Sequence, residues 1–128
     1  MTTAPAAAAP KRELQDLYAR SKMLALAAGA ALVLDSSLDG LETQAEQLLE
    51  DCLAAHSQVS AFGPQLSACV DTARELRRLL AGAVRGAATE ADVDRARASH
   101  RRLQREVWRV LPCEYVPCCA SGHAHDER

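Results

Sequence analysis

The residues best suited to chemistry lie near the C-terminus. Thiolate and imidazole are the ligands that Zn²⁺ prefers in tetrahedral sites. Three cysteines and two histidines follow one another in the pattern C-x4-C-C-x3-H-x-H: Cys113, Cys118, Cys119, His123 and His125. A loop of this length could wrap one ion, but the spacing matches no zinc module that geometry justifies. We therefore interpret residues 112–128 as a flexible tail without metal. S-acylation of Cys118 and Cys119 is a third interpretation of the same segment.

The other candidates for chemistry fall inside helical patterns. His100 occupies a core position of the last predicted helix, where it would find a partner and fix register, with pH sensing as the alternative. Cys52 and Cys69 occupy core positions too, and free buried cysteine behaves as a small apolar residue. The sequence pairs no nucleophile with a base and has no phosphate-binding loop. We therefore predict a protein that is not an enzyme, with no catalytic residue and no cofactor.

The charges are separated along the chain although the net charge is only −2. Residues 35–51 contain six acids and no base, whereas residues 74–109 hold ten of the fifteen basic residues, all of them arginine. Two solvated helix faces would explain this separation. Alternatively, the acidic segment packs near the basic one, within the chain or on a partner. Nucleic-acid binding by the arginine-rich half is the rival function, although acids dilute its charge and no aromatic residues interleave to stack bases.

Composition indicates an all-α protein. Aromatic residues make up only 3% of the 128 residues, while the good helix formers alanine, leucine, arginine and glutamate are abundant. The longest apolar run, residues 23–34, has too few residues to cross a bilayer. A signal peptide is disfavoured because Glu13 and Asp16 precede that run. We expect a cytoplasmic protein, with the nucleus as the alternative, and no secretion.

Apolar spacing divides the chain into a leader, a helical domain and the tail. Residues 1–10 form a low-complexity segment with two prolines, which we predict to be disordered. The helical domain spans residues 11–111, and its first helix is predicted over 11–34. Asp35, Ser36 and Ser37 supply N-cap chemistry where the heptad phase then slips. The seam of the first helix is Leu14, Leu17, Ser21, Leu24, Ala28 and Ala31, widened by Tyr18, Ala25 and Leu32.

A second apolar seam runs without a phase slip from Leu34 to Ala87. Gly63-Pro64 interrupts it, so either the helix kinks there or Pro64 opens a new helix after a tight corner. Because the phase is kept, we predict one long helix over 37–86 with a kink near residue 63. A last helix is predicted over 90–111, opened by a Thr89 cap with Asp92 three residues on. The predicted fold is thus a coiled-coil-like helical bundle, or a helical hairpin, with one long kinked helix.

A running helix of about 50 residues would be about 75 Å long, whereas the flanking helices would reach only about 30–36 Å. Part of its seam would therefore stay open for other helical subunits, in a homo- or hetero-oligomer. We predict a non-catalytic subunit, adaptor or scaffold that acts by protein–protein interaction. The candidate interface residues are Leu48, Leu49, Val59, Phe62, Leu66, Val70, Leu76, Leu80, Val84, Leu103, Val107 and Trp108.

Two stretches also resemble a known family. LDSSLDGLETQAEQLL at residues 34–49 and EYVPCC at residues 114–119 are similar to the cappuccino-type subunit of the lysosome-related organelle biogenesis complex. Those subunits are short, helical and act only within an elongated assembly. The resemblance implies a helical assembly subunit with a role in organelle or vesicle biogenesis or trafficking.

Overall fold

Four helices form the part of the chain that the structure, a computed structural model, describes: residues 8–34 and 38–111. They are α1 (Ala8–Leu34), α2 (Asp39–Gln58), α3 (Gly63–Val84) and α4 (Glu90–Trp108). These residues contain no strand. Helix α3 contacts each of the other three helices, and its most extensive packing is against α2. The predicted all-α bundle is confirmed.

Helix α1 follows its predicted seam. All six seam positions of α1 are buried, and Tyr18 beside them is buried as well. Ser21 is tolerated at the seam because its hydroxyl donates to the Leu17 carbonyl at 2.8 Å, which satisfies the polar group inside the helix. The helix starts at Ala8, so residues 8–10 of the predicted leader belong to α1. Residues 1–7 lie outside the described part of the chain.

The single kinked helix predicted for residues 37–86 is not confirmed, because the chain folds back before Gly63-Pro64. Helix α2 ends at Gln58, Val59 is extended, and Phe62 has a left-handed backbone with φ of 61°. Pro64 then lies in the first turn of α3, where its missing N–H has no helical partner to lose. The apolar phase survives because each helix independently turns one apolar face to a shared core. The phase of the apolar repeat alone therefore does not show whether two helical segments form one continuous helix.

The connection from α3 to α4 uses specific end structures. Gly86 has φ of 72°, and the N–H groups of Gly86 and Ala87 donate to the carbonyls of Ala83 and Gly82 at 3.0 and 2.7 Å. This pair of bonds is a Schellman motif, which requires a left-handed residue after the helix. The predicted Thr89 cap is confirmed as a capping box with Asp92. Helix α4 ends at Trp108, three residues before its predicted end.

The start of α2 differs from the predicted cap. Its N-cap residue is Leu38, which makes no side-chain cap hydrogen bond. The predicted cap residues 35–37 lie outside the described residues. Helix α2 is therefore held by its packing rather than by a local cap.

Polar contacts join neighbouring helices around the core. The buried Thr72 hydroxyl of α3 donates to the Ser99 carbonyl of α4 at 3.1 Å. Arg20 of α1 pairs with Asp51 of α2 at 2.8 Å. Exposed ion pairs contribute only about 0–1 kcal/mol each, so apolar burial supplies most of the stability. The large side chains with almost no exposed surface are Leu14, Leu17, Tyr18, Leu48, Leu66, Leu76, Leu80, Leu103 and Val107.

Candidate interaction surface

The second half of α1 is apolar on every side. Residues 23–34 contain no charged residue, yet only one side of this stretch meets the core. The exposed fractions of Met23, Leu26 and Val33 are 65%, 61% and 83%. Helices that are apolar all round are normally buried all round. The outer side of α1 is therefore an unusually apolar surface for a helix at the edge of a bundle.

A groove runs between α1 and α4, and we call it the α1/α4 groove. Its walls come from residues 22–33 of α1 and residues 93–104 of α4, and Leu76 and Leu79 of α3 form its floor. The groove encloses about 720 Å³. Leu26 and Val33 line it from α1, and Val93 and Ala96 line it from α4. An apolar channel thus lies directly beside the exposed side of α1.

Basic residues border the α1/α4 groove. Lys22 lies at one end on α1, Arg97 and Arg101 lie on the α4 wall, and no Asp or Glu is among the lining residues. The neighbouring arginines Arg95 and Arg102 pair with acids of α3. Arg97 and Arg101, by contrast, form no ion pair within the described residues. The groove combines an apolar floor with positive charge that no acid of the described residues pairs with.

His100 is the titratable residue of this groove. Its ring stacks on Tyr18 of α1, with ring centroids 6.2 Å apart and planes 6° apart. Its Nδ1 is buried without a hydrogen-bond partner among the described residues. Burial, and secondarily the positive charge of Lys22, lower the pKa of His100 from its ordinary value of 6.5. His100 thus lies half-buried on the inner side of α4, but the hydrogen-bond partner predicted for it is not found among the described residues. The ring favours the neutral form there.

A second cleft lies on the other side of α1, against α2. It encloses about 490 Å³ and is lined by Met23 and Leu24 of α1 and by Leu41 and Leu48 of α2. Arg20 at its edge already pairs with Asp51. The exposed apolar side of α1 thus separates two clefts. Within residues 8–34 and 38–111, the α1/α4 groove is the one whose arginines form no ion pair.

The predicted interface residues lie mostly in the chain's own core. Val59, Phe62 and Trp108 are half-buried, and Val84 is the one exposed member, at 45%. The chain folds back at residues 59–62, so the seam residues of α2 and α3 pack against each other. They are not left exposed along one continuous helix. The buried members are Leu48, Leu49, Leu66, Val70, Leu76, Leu80, Leu103 and Val107.

The buried cysteines face each other across the α2–α3 hairpin. Cys52 and Cys69 have no exposed surface. A hydrogen bond with Cys52, together with burial, strongly raises the pKa of the Cys69 thiol. A protonated, buried thiol is a poor nucleophile, so these residues serve packing.

The two charged segments are not joined by the ion pairs of the described residues. In the acidic segment, Asp51 pairs with Arg20 of α1 rather than with the arginines of residues 74–109. Those arginines pair instead with acids of α3 and α4, as Arg102 does with Asp71 at 2.8 Å. The acidic face of α2 is therefore largely a solvated face.

The sequence interpretation missed the outer side of α1. It assigned Leu24, Ala28 and Ala31 to the buried seam and otherwise weighed residues 23–34 as a membrane or signal segment, so the exposed side was not considered as an interface. The useful signal was present, because an apolar run longer than two helical turns must expose part of itself at the edge of a small bundle. Arg97 and Arg101 look like the other arginines in the sequence, because only the structure shows which arginines pair with acids.

The described residues offer neither a metal site nor a membrane span. The described residues contain no group of three or more His, Cys, Asp or Glu side chains placed to hold a metal ion. The Cys/His cluster predicted in the tail lies outside them. None of the four described helices is long and apolar enough to span a bilayer. A scan against protein families, a search of curated proteins and a search of solved structures each found no match.

Proposed function

We propose that this chain is a non-catalytic helical subunit or adaptor of a multi-protein complex, acting by helix–helix association in the cytoplasm or nucleus. The observation that carries this proposal is the exposed apolar side of α1. Met23, Leu26 and Val33 present most of their side chains to solvent on one helix. Exposed apolar patches of this kind mark interaction surfaces.

The free energy gained by burying apolar side chains supports association through α1. Burying a large apolar side chain completely contributes about 1.5–3 kcal/mol. Covering three such side chains that are more than half exposed would therefore contribute several kcal/mol, before the cost of association. Association through α1 needs no long helix with an open seam, since the seam residues of α2 and α3 are largely buried within the chain.

The resemblance of residues 34–49 and 114–119 to a cappuccino-type subunit supports a finer proposal. It favours an assembly that serves organelle or vesicle biogenesis or trafficking. Arginine-mediated nucleic-acid binding is the less favoured function, because Arg95, Arg102 and Arg109 are engaged by acids of the same chain.

Affinity purification from native cells, followed by mass spectrometry, tests the proposal. The full chain should retain a defined set of partners, and these should be lost from the double variant Leu26→Asp/Val33→Asp. Leu53→Asp is the matched control, since Leu53 is 41% exposed on α2, away from this surface. Light scattering on the purified chain separates self-association from binding to other proteins.

The outcome that contradicts the proposal is equally specific. A monodisperse monomer at micromolar concentration, with no co-purifying protein and no binding of an apolar dye, would show that the exposed side of α1 is not an interface. Steeply salt-dependent binding to duplex or single-stranded nucleic acid would favour the other function.

A further inference from the structure

We infer that the α1/α4 groove binds an amphipathic helix of another protein whose apolar stripe is flanked by Asp and Glu residues. This inference rests on the proposed function and names the chemistry of the partner. The observations behind it are the shape of the groove, its recessed floor and its border of cations that form no ion pair with the described residues.

The dimensions of the groove suit a short helical segment. The lining residues of each wall span twelve positions, 22–33 of α1 and 93–104 of α4, which corresponds to about 17 Å, or three helical turns. A helix with apolar residues at positions i, i+3 or i+4, and i+7 would place them over Leu26 and Val33. Gly29 on the α1 wall has nothing within 4 Å of where a Cβ would lie, so a partner backbone can approach closely there.

The positive charge on the groove walls indicates which kind of partner helix would bind. Arg97 and Arg101 are four residues apart on one face of α4, and Lys22 lies on the opposite wall. Acids spaced by one turn along a partner helix would meet both guanidinium groups, which bind carboxylates in a bidentate manner. Because no carboxylate of the described residues lines the groove, a basic helix would meet repulsion from these walls. Complementarity of this type governs partner choice more than total affinity.

A second copy of this chain fits less well. Its acidic helix is α2, but Leu48 and Leu49 of that helix are buried in its own core. The outer face of α2 offers Glu46 and Glu50 with only Leu53 as a large exposed apolar residue. Such a face would supply the charge without the apolar stripe.

A membrane surface fits less well for a geometric reason. The apolar floor formed by Leu76 and Leu79 is recessed between two helices, and the arginines stand on only one wall. A flat bilayer would contact the exposed residues of α1 but not the floor. A helix inserted between the walls contacts both.

Fluorescence anisotropy with the full chain tests this inference. The probe is a labelled synthetic helical peptide of about 14 residues, with leucine at every third or fourth position and glutamate elsewhere; its counterpart carries lysine in place of glutamate. We expect the glutamate peptide to bind about tenfold or more tightly than the lysine peptide at low salt, and the difference to narrow as salt rises.

Matched charge reversals locate the site. The double variant Arg97→Glu/Arg101→Glu should reverse the preference between the two peptides. Arg74→Glu/Arg77→Glu makes the same change in net charge on exposed residues of α3 outside the groove and should leave the preference as it was. Leu26→Asp should weaken binding of either peptide, whereas Leu53→Asp should not.

Several results would overturn the inference. It fails if neither peptide binds, if both bind alike, or if the two double variants have equal effects. It fails as well if vesicles containing phosphatidylserine bind the chain and displace the glutamate peptide. Its failure is distinguishable from that of the proposed function, because native partners would then still co-purify with the Arg97→Glu/Arg101→Glu variant.

Discussion

The two walls of the α1/α4 groove are helices of opposite character. Helix α4 is charged and narrowly amphipathic, and its buried residues are Ala96, Leu103 and Val107. Its ends follow the helix dipole, with Glu90 and Asp92 in the first turn and Arg105 in the last. Almost all the apolar surface of α4 is therefore used by its own chain.

The second half of α1 has none of these local devices. Helix α1 has no acid in its first turn and no base in its last turn, and residues 23–34 are apolar throughout. One side of this stretch packs on α3 and α4, and the opposite side is exposed. The apolar residues of α4 build the fold, whereas the second half of α1 has more apolar residues than the fold can bury. We expect association at the apolar residues of α1 that stay exposed.

The largest expected effect is a difference in unfolding free energy between truncating a buried leucine of α4 and truncating an exposed leucine of α1. Leu103→Ala should cost about 2–5 kcal/mol of unfolding free energy, because Leu103 is completely buried and its removal leaves a cavity. Leu26→Ala should change stability by less than about 1 kcal/mol, since the side chain is mostly exposed and alanine favours helix. Urea unfolding followed by circular dichroism measures both. Equal losses would mean that Leu26 is part of the core and that the two walls do not differ.

A smaller effect is expected at the end of α3. Gly86 has a positive φ and closes the Schellman motif that leads the chain into α4. Gly86→Ala should lower the unfolding free energy by about 1–2 kcal/mol, because a side chain is disfavoured in the left-handed region. Gly29→Ala is the control, because that glycine is within α1 and has open space at its Cβ position. It should be neutral or slightly stabilising, and a loss equal to that of Gly86→Ala would contradict the explanation.

The cap of α4 is expected to have an effect of about the same size or less. Thr89→Ala removes the side chain that accepts from the Asp92 N–H, and such caps contribute about 1 kcal/mol. Thr43→Ala, at an exposed position within α2, should leave stability almost unchanged. Thermal or urea unfolding gives both values. If the two substitutions cost the same, α4 does not depend on its local cap and the contrast with α1 weakens.

The sequence interpretation succeeded where neighbouring residues within one helix determine the structure. Thr89 with Asp92 predicted the start of α4, and the seam of α1 predicted its buried face, because capping and burial depend on neighbours within one helix. The sequence could not decide between a corner near Phe62 and a continuous, kinked helix. The left-handed backbone of this corner leaves no heptad signature, and two helices that share a core keep compatible phases whether or not they are continuous.

The candidate surface depended on tertiary information that a sequence pattern lacks. An apolar run such as residues 23–34 predicts a helix, but which of its sides is covered depends on how many helices pack around it. The charge of the groove was hidden for a similar reason. Arg97 and Arg102 look equivalent in the sequence, and only packing shows that Arg102 meets Asp71 while Arg97 meets no acid among the described residues.

The smallest expected effect concerns His100, which joins the two walls through its contact with Tyr18. Burial and the nearby Lys22 lower the pKa of His100, so the unfolded chain binds this proton more readily than the folded chain does. Its contribution to stability is complete above pH 6.5, the ordinary value, and is lost as the pH falls through the lowered pKa of the folded chain.

Urea midpoints at several pH values should therefore decline on the acid side for the native chain. His100→Leu should flatten that decline and raise the midpoint, because it removes both the proton equilibrium and a buried Nδ1 for which residues 8–34 and 38–111 supply no partner. An unchanged pH profile in this variant would assign the acid sensitivity to other groups. Binding of the glutamate peptide gives an independent check, since carboxylates placed in the groove should raise the pKa of His100, which proton NMR of the imidazole measures directly.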